Sequence, residues 1–233
     1  VVLPTYNRAY ILERSMRSIL EQSYRDIELI IVDDGSTDTT ESLVRSIEDD
    51  RIIYVKHHHN QGVAVARNTG VARARGEFLA LQDSDDVGVP GKLERQVALL
   101  EVAEMNVGVV YGILEKVLKD GRKIVVPGDD VQQREGNIFE EKLKGNFITT
   151  QVALVRTDLV RALGSFDPDL VWLEDWDFWI RYMKSVYAIF DPVVYVCAKV
   201  KKDSLNANRA HRLDSRAKTY DKHRSIFCAY PRI

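Results

Sequence analysis

Three carboxylates stand together in the stretch Asp83-Ser84-Asp85-Asp86, directly after an apolar run that predicts a buried strand. Like charges packed this closely cost free energy unless a cation offsets them. Mg²⁺ and Mn²⁺ prefer carboxylate and phosphate oxygens as ligands and retain some of their waters. Asp83 and Asp85 therefore predict a metal site that also holds a diphosphate. Asp86 fits a helix cap on a solvated turn equally well.

A second acidic pair, Asp33-Asp34, follows the run Ile-Ile-Val and precedes Gly35-Ser36. A carboxylate in this place can accept a hydrogen bond from the imide N–H of a nucleobase, while Gly35 permits a tight turn. A turn that leads into a helix explains Gly35 and Ser36 without any ligand. It does not explain two acids directly after an apolar strand, so we expect a nucleotide here.

The residues after the first predicted strand, and an arginine further along the chain, can serve the same nucleotide. Tyr6 can stack on a base and Thr5 can hydrogen-bond to it, or both belong to a turn in which Asn7 caps the next helix. Arg67 can approach a pyrophosphate or the acidic cluster. The alternative for Arg67 is a structural ion pair that holds the loops together.

An aromatic stretch at residues 172–179 surrounds a further acid, Asp175. Apolar neighbours raise the proton affinity of a carboxylate, which suits a general base. Aromatic side chains such as Trp172 and Trp176 also suit sugar rings, because the C–H faces of these rings are apolar. The simpler interpretation is an amphipathic helix whose acids lie at its N-terminus, where the helix dipole favours them.

Three consecutive histidines, His57, His58 and His59, invite comparison with a metal site. Adjacent residues of a strand point to opposite faces, so these side chains do not converge easily on one ion. We therefore expect the edge of a strand here and assign the histidines no ligand.

The first hundred residues alternate the patterns of strands and helices. Apolar and β-branched runs predict strands at 1–3, 27–32, 51–55 and 77–81. Helical periods predict helices at about 11–20, after a cap at Thr37 or Asp38, at 62–75, and at 90–102 with Pro90 in the first turn. Helical connections imply a parallel sheet, in which ligands bind beyond the carboxyl ends of the strands. The polar clusters at 4–8, 33–36, 60–62 and 83–86 all follow these strands.

The second half of the chain is less regular. Strands are predicted at 107–111, 123–126, 153–155, 186–190 and 193–196, a helix at 172–183, and a helical, basic segment over the last thirty residues. The pattern changes near residue 105 without a linker or an internal repeat. The sequence therefore predicts one α/β domain made of two halves.

The composition is that of a globular domain, with 45% hydrophobic and 29% charged residues and a net charge of −2. This balance argues against disorder and against a nucleic-acid partner. From Lys199 onward, however, ten bases accompany three acids, which suits phosphate, an anionic membrane surface or a solvated helix face. Two cysteines, no apolar run of ~20 residues and no signal peptide indicate a reducing compartment, so we expect a cytoplasmic protein.

The ordered set of motifs resembles family 2 glycosyltransferases, which have the GT-A fold and an inverting mechanism. The resemblance is strong over residues 1–95 and moderate at 164–182, and it implies an α/β GT-A fold. Its central sheet would be Rossmann-like, mostly parallel and flanked by helices, with a smaller mixed region on the acceptor side. The matching stretches are residues 2–8, 20–24, 31–38, 60–70, 74–78, 83–86 and 174–177.

The resemblance implies a donor site for a nucleotide sugar. Thr5, Tyr6 and Asp34 would hold the nucleobase, usually uracil. Asp83 would contact the ribose or the donor phosphates. The residues expected at this site are Pro4, Thr5, Tyr6, Arg8, Asp33, Asp34, Gly62, Arg67, Asp83 and Ser84.

The resemblance also implies a metal ion and a base. Asp85 would bind Mg²⁺ or Mn²⁺, which stabilises charge on the leaving diphosphate. Asp175 would take the proton from the acceptor hydroxyl as that oxygen attacks the anomeric carbon. The acceptor would lie against Trp172, Glu174 and Trp176.

The chain departs from the family pattern at residues 199–202. Many relatives have an Arg-Val-His-like stretch where this chain has Lys-Val-Lys-Lys. A lysine in place of the histidine removes an expected third metal ligand. His211 is a candidate substitute, and Lys201 is a candidate contact for the diphosphate.

The resemblance predicts a single domain over 1–233. Its nucleotide-sugar-binding half would cover about 1–104, its acceptor-binding half about 105–198 and its basic C-terminal segment 199–233. The expected acceptor is a glycan, a lipid-linked sugar or another hydroxyl, with a peripheral contact between the basic segment and the inner face of a membrane. A retaining transferase and a catalytically silent nucleotide-sugar-binding module stay open as alternatives. A dehydrogenase does not, because no G-x-G-x-x-G follows the first strand.

Overall fold

The computed structural model describes residues 1–199 and 209–230. The strands are β1 (Val2–Thr5), β2 (Leu29–Asp33), β3 (Ile52–Lys56), β4 (Phe78–Ala80), β5 (Val87–Gly88), β6 (Val107–Val117), β7 (Lys123–Val126), β8 (Ala153–Arg156) and β9 (Tyr187–Lys199). The helices are α1 (Ala9–Leu20), α2 (Thr40–Arg45), α3 (Val63–Arg73), α4 (Lys92–Glu101), α5 (Phe139–Lys144), α6 (Thr157–Ala162), α7 (Glu174–Met183), α8 (Arg209–Lys222) and α9 (Arg224–Ala229).

The first three strands form the parallel sheet that the alternating pattern predicts. They lie in the order β1-β2-β3, and each is buried or half-buried on both faces. One face packs on α1 through side chains such as Leu3 and Met16. The other packs on α3, where a Cβ added at Gly70 would lie 2.2 Å from a methyl of Val2. Only glycine therefore allows the helix to approach β1 so closely.

The fourth strand joins this sheet to a second, mixed one. Leu81 bridges Val2 in a parallel sense, and the N–H of Gln82 donates to the carbonyl of Val2 at 2.9 Å. β4 itself pairs antiparallel with β8 in a six-stranded sheet of order β4-β8-β6-β9-β5, with β7 on β6. The mixed part thus holds more strands than the parallel part. The carboxyl ends of β1 and β4 come to the same edge, as the sequence predicts.

Several element boundaries differ from those predicted. α4 begins at Lys92, after Gly91 in a left-handed conformation with φ of 78°, so Pro90 precedes the first turn. The predicted strands at 186–190 and 193–196 form one strand, β9, which runs through Pro192 with shifts in its register against β6. Proline cannot donate to a ladder, and the break expected from it is absorbed by these shifts. Two helices of six residues, α5 and α6, were not predicted.

The loop before α2 also anchors the start of α1. Asp38 accepts hydrogen bonds from the N–H of Thr40 at 3.0 Å and from the N–H of Ala9 at 3.1 Å. Asn7 does not cap α1 as expected, because its side-chain oxygen accepts from the N–H of Thr37 at 2.8 Å. The ends of β1 and β2 are therefore fastened to each other.

Candidate functional site

The loop after β4 carries two acids that remain open to solvent. The side chains of Asp83 and Asp85 are 31% and 30% exposed. The carbonyl of Asp83 accepts from the hydroxyl of Ser15 at 2.9 Å, and the carboxylate of Asp85 lies 3.9 Å from a guanidinium nitrogen of Arg8. Ser84 lies half-buried between the two acids. The loop therefore presents carboxylate oxygens to solvent, as a cation site requires.

The third acid of the loop, Asp86, turns inward and caps no helix. It is buried and accepts from the side-chain amide of Gln151 at 2.9 Å. Burial, together with the charges of Asp83 and Asp85, raises the pKa of Asp86 to about 8. The neighbouring Lys92 is also buried, which lowers its pKa to about 8, and it donates to the carbonyl of Gln151 at 2.6 Å. The negative potential around this loop is thus only partly neutralised by the protein.

These residues fit a divalent cation that takes few protein ligands. Among residues 1–199 and 209–230 no three His, Cys, Asp or Glu side chains converge on a possible metal position. Mg²⁺ is commonly held by one or two carboxylates together with waters and substrate phosphates. Asp85, with Asp83 beside it, supplies such a set. The peptide segment with Lys201 and the side chain of His211 lie outside the described residues.

The end of β1 offers an unsatisfied hydroxyl beside an exposed ring. Thr5 is buried, and its Oγ1 makes no hydrogen bond within the described part of the chain. Pro4, just before it, is buried in β1, and Tyr6, just after it, is 43% exposed. A buried hydroxyl without a partner costs free energy unless a ligand completes it. This geometry fits an aromatic base that stacks on Tyr6 and hydrogen-bonds to Thr5.

The acidic pair after β2 is directed into the protein. Asp33 accepts from the N–H of Ser36 at 2.7 Å and from the hydroxyl of Tyr54 at 2.5 Å. Asp34 accepts from the N–H of Gly62 at 2.8 Å and from Nδ1 of His57 at 2.7 Å. Both carboxylates therefore hold neighbouring loops, and any contact with a base adds to these bonds.

His57 is the residue of this region whose role the sequence did not reveal. Its ring bridges Asp34 and, through Nε2 at 2.9 Å, the hydroxyl of Thr69 on α3. The sequence predicted only the edge of a strand at His57, whereas its ring joins the end of β2 to α3. Gly62, at the start of α3, has φ of 95°, a conformation that favours glycine. Together these residues fix the loop that faces the end of β2.

Arg67 connects the acidic loop to α7. The guanidinium donates to Asp83 at 3.1 Å and to Glu174 at 2.6 Å, and it lies 5.3 Å from the ring centre of Phe166. It is buried, and its Nε has no partner in the described structure. The sequence left two alternatives for Arg67, a structural ion pair and an approach to the acidic cluster. The structure shows both.

The start of α7 places two predicted acceptor-side acids in different environments. Glu174 is buried against Arg67, and burial, opposed by Arg67 and assisted by Asp175, raises its pKa to about 7. Asp175 is half-buried; it accepts from the N–H of Trp176 at 2.8 Å and from the side-chain amide of Asn146 at 2.7 Å. Leu173 has a left-handed φ of 60°, which turns the chain sharply into the helix. Glu174 therefore faces the donor side rather than an open acceptor surface.

The tryptophans of this stretch differ in the same way. Trp172 is half-buried, so part of its ring is available to a ligand. Trp176 is 5% exposed, and its indole N–H donates to the carbonyl of Lys142 at 2.8 Å. The expected contact between Trp176 and an acceptor is not available in this structure, because the ring packs inside the protein and joins α7 to α5.

Asp177 anchors the C-terminal helices, a role that the sequence did not reveal. It is fully buried and binds His223 at 2.7 Å, Lys222 at 2.9 Å and Arg181 at 2.9 Å. Burial alone would raise the pKa of Asp177, but these partners hold it well below its usual range. Other bases of the described part of α8 and α9 also pair with acids, among them Lys218–Asp214 and Arg224–Asp221. These pairs concern only the described bases of the segment, and the membrane contact expected of the segment stays a prediction.

Comparison with known proteins gives consistent matches. The model of the family described as Glycosyl transferase family 2 matches residues 1–164. An uncharacterized glycosyltransferase of Rickettsia typhi is 28% identical over 212 residues, which cover 90% of this chain and 66% of that protein. The enzyme WfgD of Escherichia coli, a UDP-Glc:alpha-D-GlcNAc-diphosphoundecaprenol beta-1,3-glucosyltransferase, is 29% identical over 91% of this chain and 81% of its own length.

A solved structure agrees with the sequence matches. The mannosyltransferase PcManGT from Pyrobaculum calidifontis, in complex with GDP-Man and Mn²⁺, superposes with a TM-score of 0.72 and is 27% identical. The match covers 95% of this chain and 62% of PcManGT. The chain thus spans about two thirds of the length of several proteins that it matches. Among the described residues, no helix combines the length and the apolar character needed to cross a membrane.

Proposed function

The chain belongs to glycosyl transferase family 2, and on that premise we propose that it transfers a sugar from a nucleoside diphosphate donor to an acceptor hydroxyl, with inversion at the anomeric carbon. The predicted family and the predicted GT-A fold are confirmed. The substrates and the stereochemical course are our proposal.

One observation carries the proposal. Arg67 lies between Asp83, in the acidic loop, and Glu174, directly before Asp175. The carboxylates that suit a cation, which in turn binds a diphosphate, are thereby held near the acid that suits a general base. A transfer reaction needs these two functions side by side, because the leaving group and the attacking oxygen meet at one carbon.

The donor site follows from the ends of β1, β2 and β4. The base would stack on Tyr6 and bond to Thr5, and the loop held by Asp33, Asp34 and Gly62 would frame it. Arg8, Asp83 and Ser84 would lie along the ribose and phosphates, with Arg67 behind them. A uracil base is supported by the UDP-Glc in the name of WfgD, whereas PcManGT was solved with GDP-Man.

A divalent cation, Mg²⁺ or Mn²⁺, is the proposed cofactor, and Asp85 is its proposed protein ligand. It would supply positive charge that stabilises the leaving diphosphate. The Mn²⁺ in PcManGT supports this assignment.

The chemistry of the chain itself centres on Asp175. Its carboxylate would accept the proton of the acceptor hydroxyl as that oxygen forms a bond to the anomeric carbon. The bond between this carbon and the diphosphate oxygen breaks at the same time, and the nucleoside diphosphate leaves with the electron pair. The carboxylate of Asp175 is half-buried, and its hydrogen bonds to the N–H of Trp176 and to the amide of Asn146 hold it in place for this role.

The acceptor is proposed to be a lipid-linked sugar or a related glycan, as in the name of WfgD. Trp172, half-buried at the start of α7, is the proposed contact for its apolar face. Such an acceptor would bring the protein to the cytoplasmic face of a membrane. The described bases of α8 and α9 largely pair with acids, so we do not assign this contact to them.

Calorimetry and turnover together test the proposal. UDP, GDP and CDP are titrated with and without Mn²⁺ into the wild type, Asp85→Ala and Asp175→Asn. We expect one nucleotide to bind tightly only with metal, Asp85→Ala to lose this dependence, and Asp175→Asn to bind normally without turnover. Metal-independent binding in the wild type would refute the role of Asp85. Binding without any transfer would favour the silent module, and an active Asp175→Asn would favour a retaining transferase.

A further inference from the structure

A buried lysine and an asparagine lie directly behind Asp175. Lys142, on α5, is 0% exposed, and its Nζ donates to Oδ1 of Asn146 at 2.8 Å. Nδ2 of the same amide donates to Oδ2 of Asp175 at 2.7 Å. The three side chains form an unbroken line from the interior to the proposed base.

The chemistry of the three groups permits only one orientation of the amide. The amine of a lysine donates to an oxygen in either protonation state, and a carboxylate accepts only. The oxygen of Asn146 must therefore face Lys142, and its NH₂ group must face Asp175. The amide is the one part of this line that can donate at one end and accept at the other. An apolar residue of similar size, or an acid, would leave at least one neighbour unsatisfied.

The second oxygen of Asp175 is fixed separately. Oδ1 accepts from the N–H of Trp176 at 2.8 Å, so the carboxylate is held at both ends and keeps lone pairs for a further partner. The charge of Asp175 acts on three nearby ionisable side chains, those of Lys142, Glu174 and Arg67. The carboxylate thus has a defined rotamer before any acceptor arrives.

We propose that Asn146 is a positioning residue for Asp175 and that Lys142 fixes the orientation of the Asn146 amide. The proposal rests on the proposed function, in which Asp175 takes a proton from the acceptor. Without the amide, the carboxylate rotates about its side-chain bonds, and fewer conformations direct a lone pair at the acceptor hydroxyl.

The cost of the arrangement supports a purpose beyond packing. Burial lowers the pKa of Lys142 to about 7, against the attraction of Asp175, so the ammonium group is destabilised where it lies. The backbone carbonyl of Lys142 accepts from the indole N–H of Trp176. Nζ of Lys142 lies 4.6 Å from the ring centre of Phe147. An apolar side chain would fill this space at lower cost. What lysine adds is the donor that orients Asn146.

The first test separates turnover from donor binding. In Asn146→Ala we expect kcat to fall about 10- to 100-fold, because misplacement by less than an ångström has effects of this size. The donor KM and the UDP affinity should stay within about two-fold. Asn146→Asp should lower kcat at least as much, since it replaces the donor by a second negative charge. Lys142→Met should lower kcat in the same direction.

The matched control is Asn137→Ala, at the other end of α5. Asn137 is exposed and accepts from the N–H of Phe139 at 3.1 Å, so its loss loosens the helix without touching Asp175. Asn137→Ala should keep wild-type kcat. A loss of kcat in this variant equal to that in Asn146→Ala would overturn the proposal, because the effect would then come from α5 as a whole.

The second test asks whether Asn146 acts through Asp175. In single-turnover assays sensitive enough to detect the residual transfer of Asp175→Asn, adding Asn146→Ala should cause no further loss of that residual rate, because residues that act as one unit are not additive. Full additivity, or a wild-type kcat in Asn146→Ala while Asp175→Asn is inactive, overturns the positioning role and leaves the proposed function intact. An active Asp175→Asn overturns both.

A third measurement needs no turnover. The side-chain amide protons of Asn146, assigned by their absence in Asn146→Ala, should move upfield in Asp175→Ala and change again in Lys142→Met, because each change removes one charged partner. Amide resonances of Asn146 that stay unchanged in both Asp175→Ala and Lys142→Met would contradict the hydrogen bonds from Lys142 to Asn146 and from Asn146 to Asp175. This result does not depend on knowing the acceptor.

Discussion

Replacing the buried Lys142 by methionine measures the electrostatics behind Asp175 through the stability of the fold. Burial lowers the pKa of Lys142 from 10.5 to about 7. Between about pH 7 and pH 10.5 the unfolded chain therefore binds a proton that the folded chain does not, and stability rises with pH by up to about 1.4 kcal/mol per unit. Below about pH 7 both states bind the proton, and this dependence ends.

The magnitude follows from the width of that window. At about pH 7 the buried lysine should cost about 4 kcal/mol of stability, and at about pH 9 about 2 kcal/mol. Methionine does not titrate, but it loses the hydrogen bond to Asn146, which is worth about 1 kcal/mol. Lys142→Met should thus be more stable than wild type by about 3 kcal/mol at the lower pH and about 1 kcal/mol at the higher.

Urea unfolding followed by circular dichroism at both pH values tests this expectation. Lys144→Met is the matched control, because Lys144 lies on the same helix, is 52% exposed and pairs with Glu141. Its effect on stability should stay within about 0.5 kcal/mol at either pH. An effect of Lys142→Met that is equal at the two pH values would refute the inference that burial shifts the pKa of this lysine.

Three further substitutions test individual parts of the site. Thr5→Val removes a buried hydroxyl that has no partner in the described structure. Calorimetry should show a fall of about 5- to 10-fold in UDP affinity, while thermal stability is kept or slightly raised. A simultaneous loss of stability would mean that the hydroxyl of Thr5 bonds within the protein. Asp177→Asn removes the negative charge that pairs with Lys222 and Arg181 and weakens the hydrogen bond to His223. Urea unfolding should show a loss of about 3–5 kcal/mol. A loss below about 1 kcal/mol would contradict a buried anchor. In Gly62→Ala the new Cβ meets no atom within 4 Å, but the residue must keep φ of 95°. The free energy of unfolding should therefore fall by about 1–2 kcal/mol through backbone strain alone. An unchanged melting temperature would show that the loop relaxes.

The parts of the fold that the sequence predicts are those with a local signal. The strands β1 to β4 are apolar runs separated by helical periods, and the acids at the ends of β2 and β4 are adjacent to one another in the chain. Helix α5, with six residues, is too short to show a helical period. β9 continues through Pro192 because it pairs with β6 on both sides of it, and this pairing partner lies some 80 residues away in sequence.

The direction of each acidic side chain could not be predicted, because its partners are distant. Asp34 is satisfied by His57 and by the N–H groups of residues 61–62, and Asp177 by residues of α7 and of the C-terminal helices. A run of acids in the sequence looks the same whether it faces a ligand or the interior. Only the nonlocal contacts separate Asp34 and Asp86, which are buried, from Asp83 and Asp85, whose side chains are 31% and 30% exposed.

Arg67 shows why the two halves of the site have to be considered together. Arg67 and Glu174 are 107 positions apart in the sequence, whereas Arg67 and Asp83 are 16 positions apart. One buried guanidinium group therefore serves both carboxylates. A cation that binds to Asp83 therefore changes the charge that Glu174 experiences. Since Glu174 already has a pKa raised to about 7, a small change in that charge alters its protonation near neutral pH. Donor occupancy would in this way be felt at the residue next to Asp175, before any acceptor is bound.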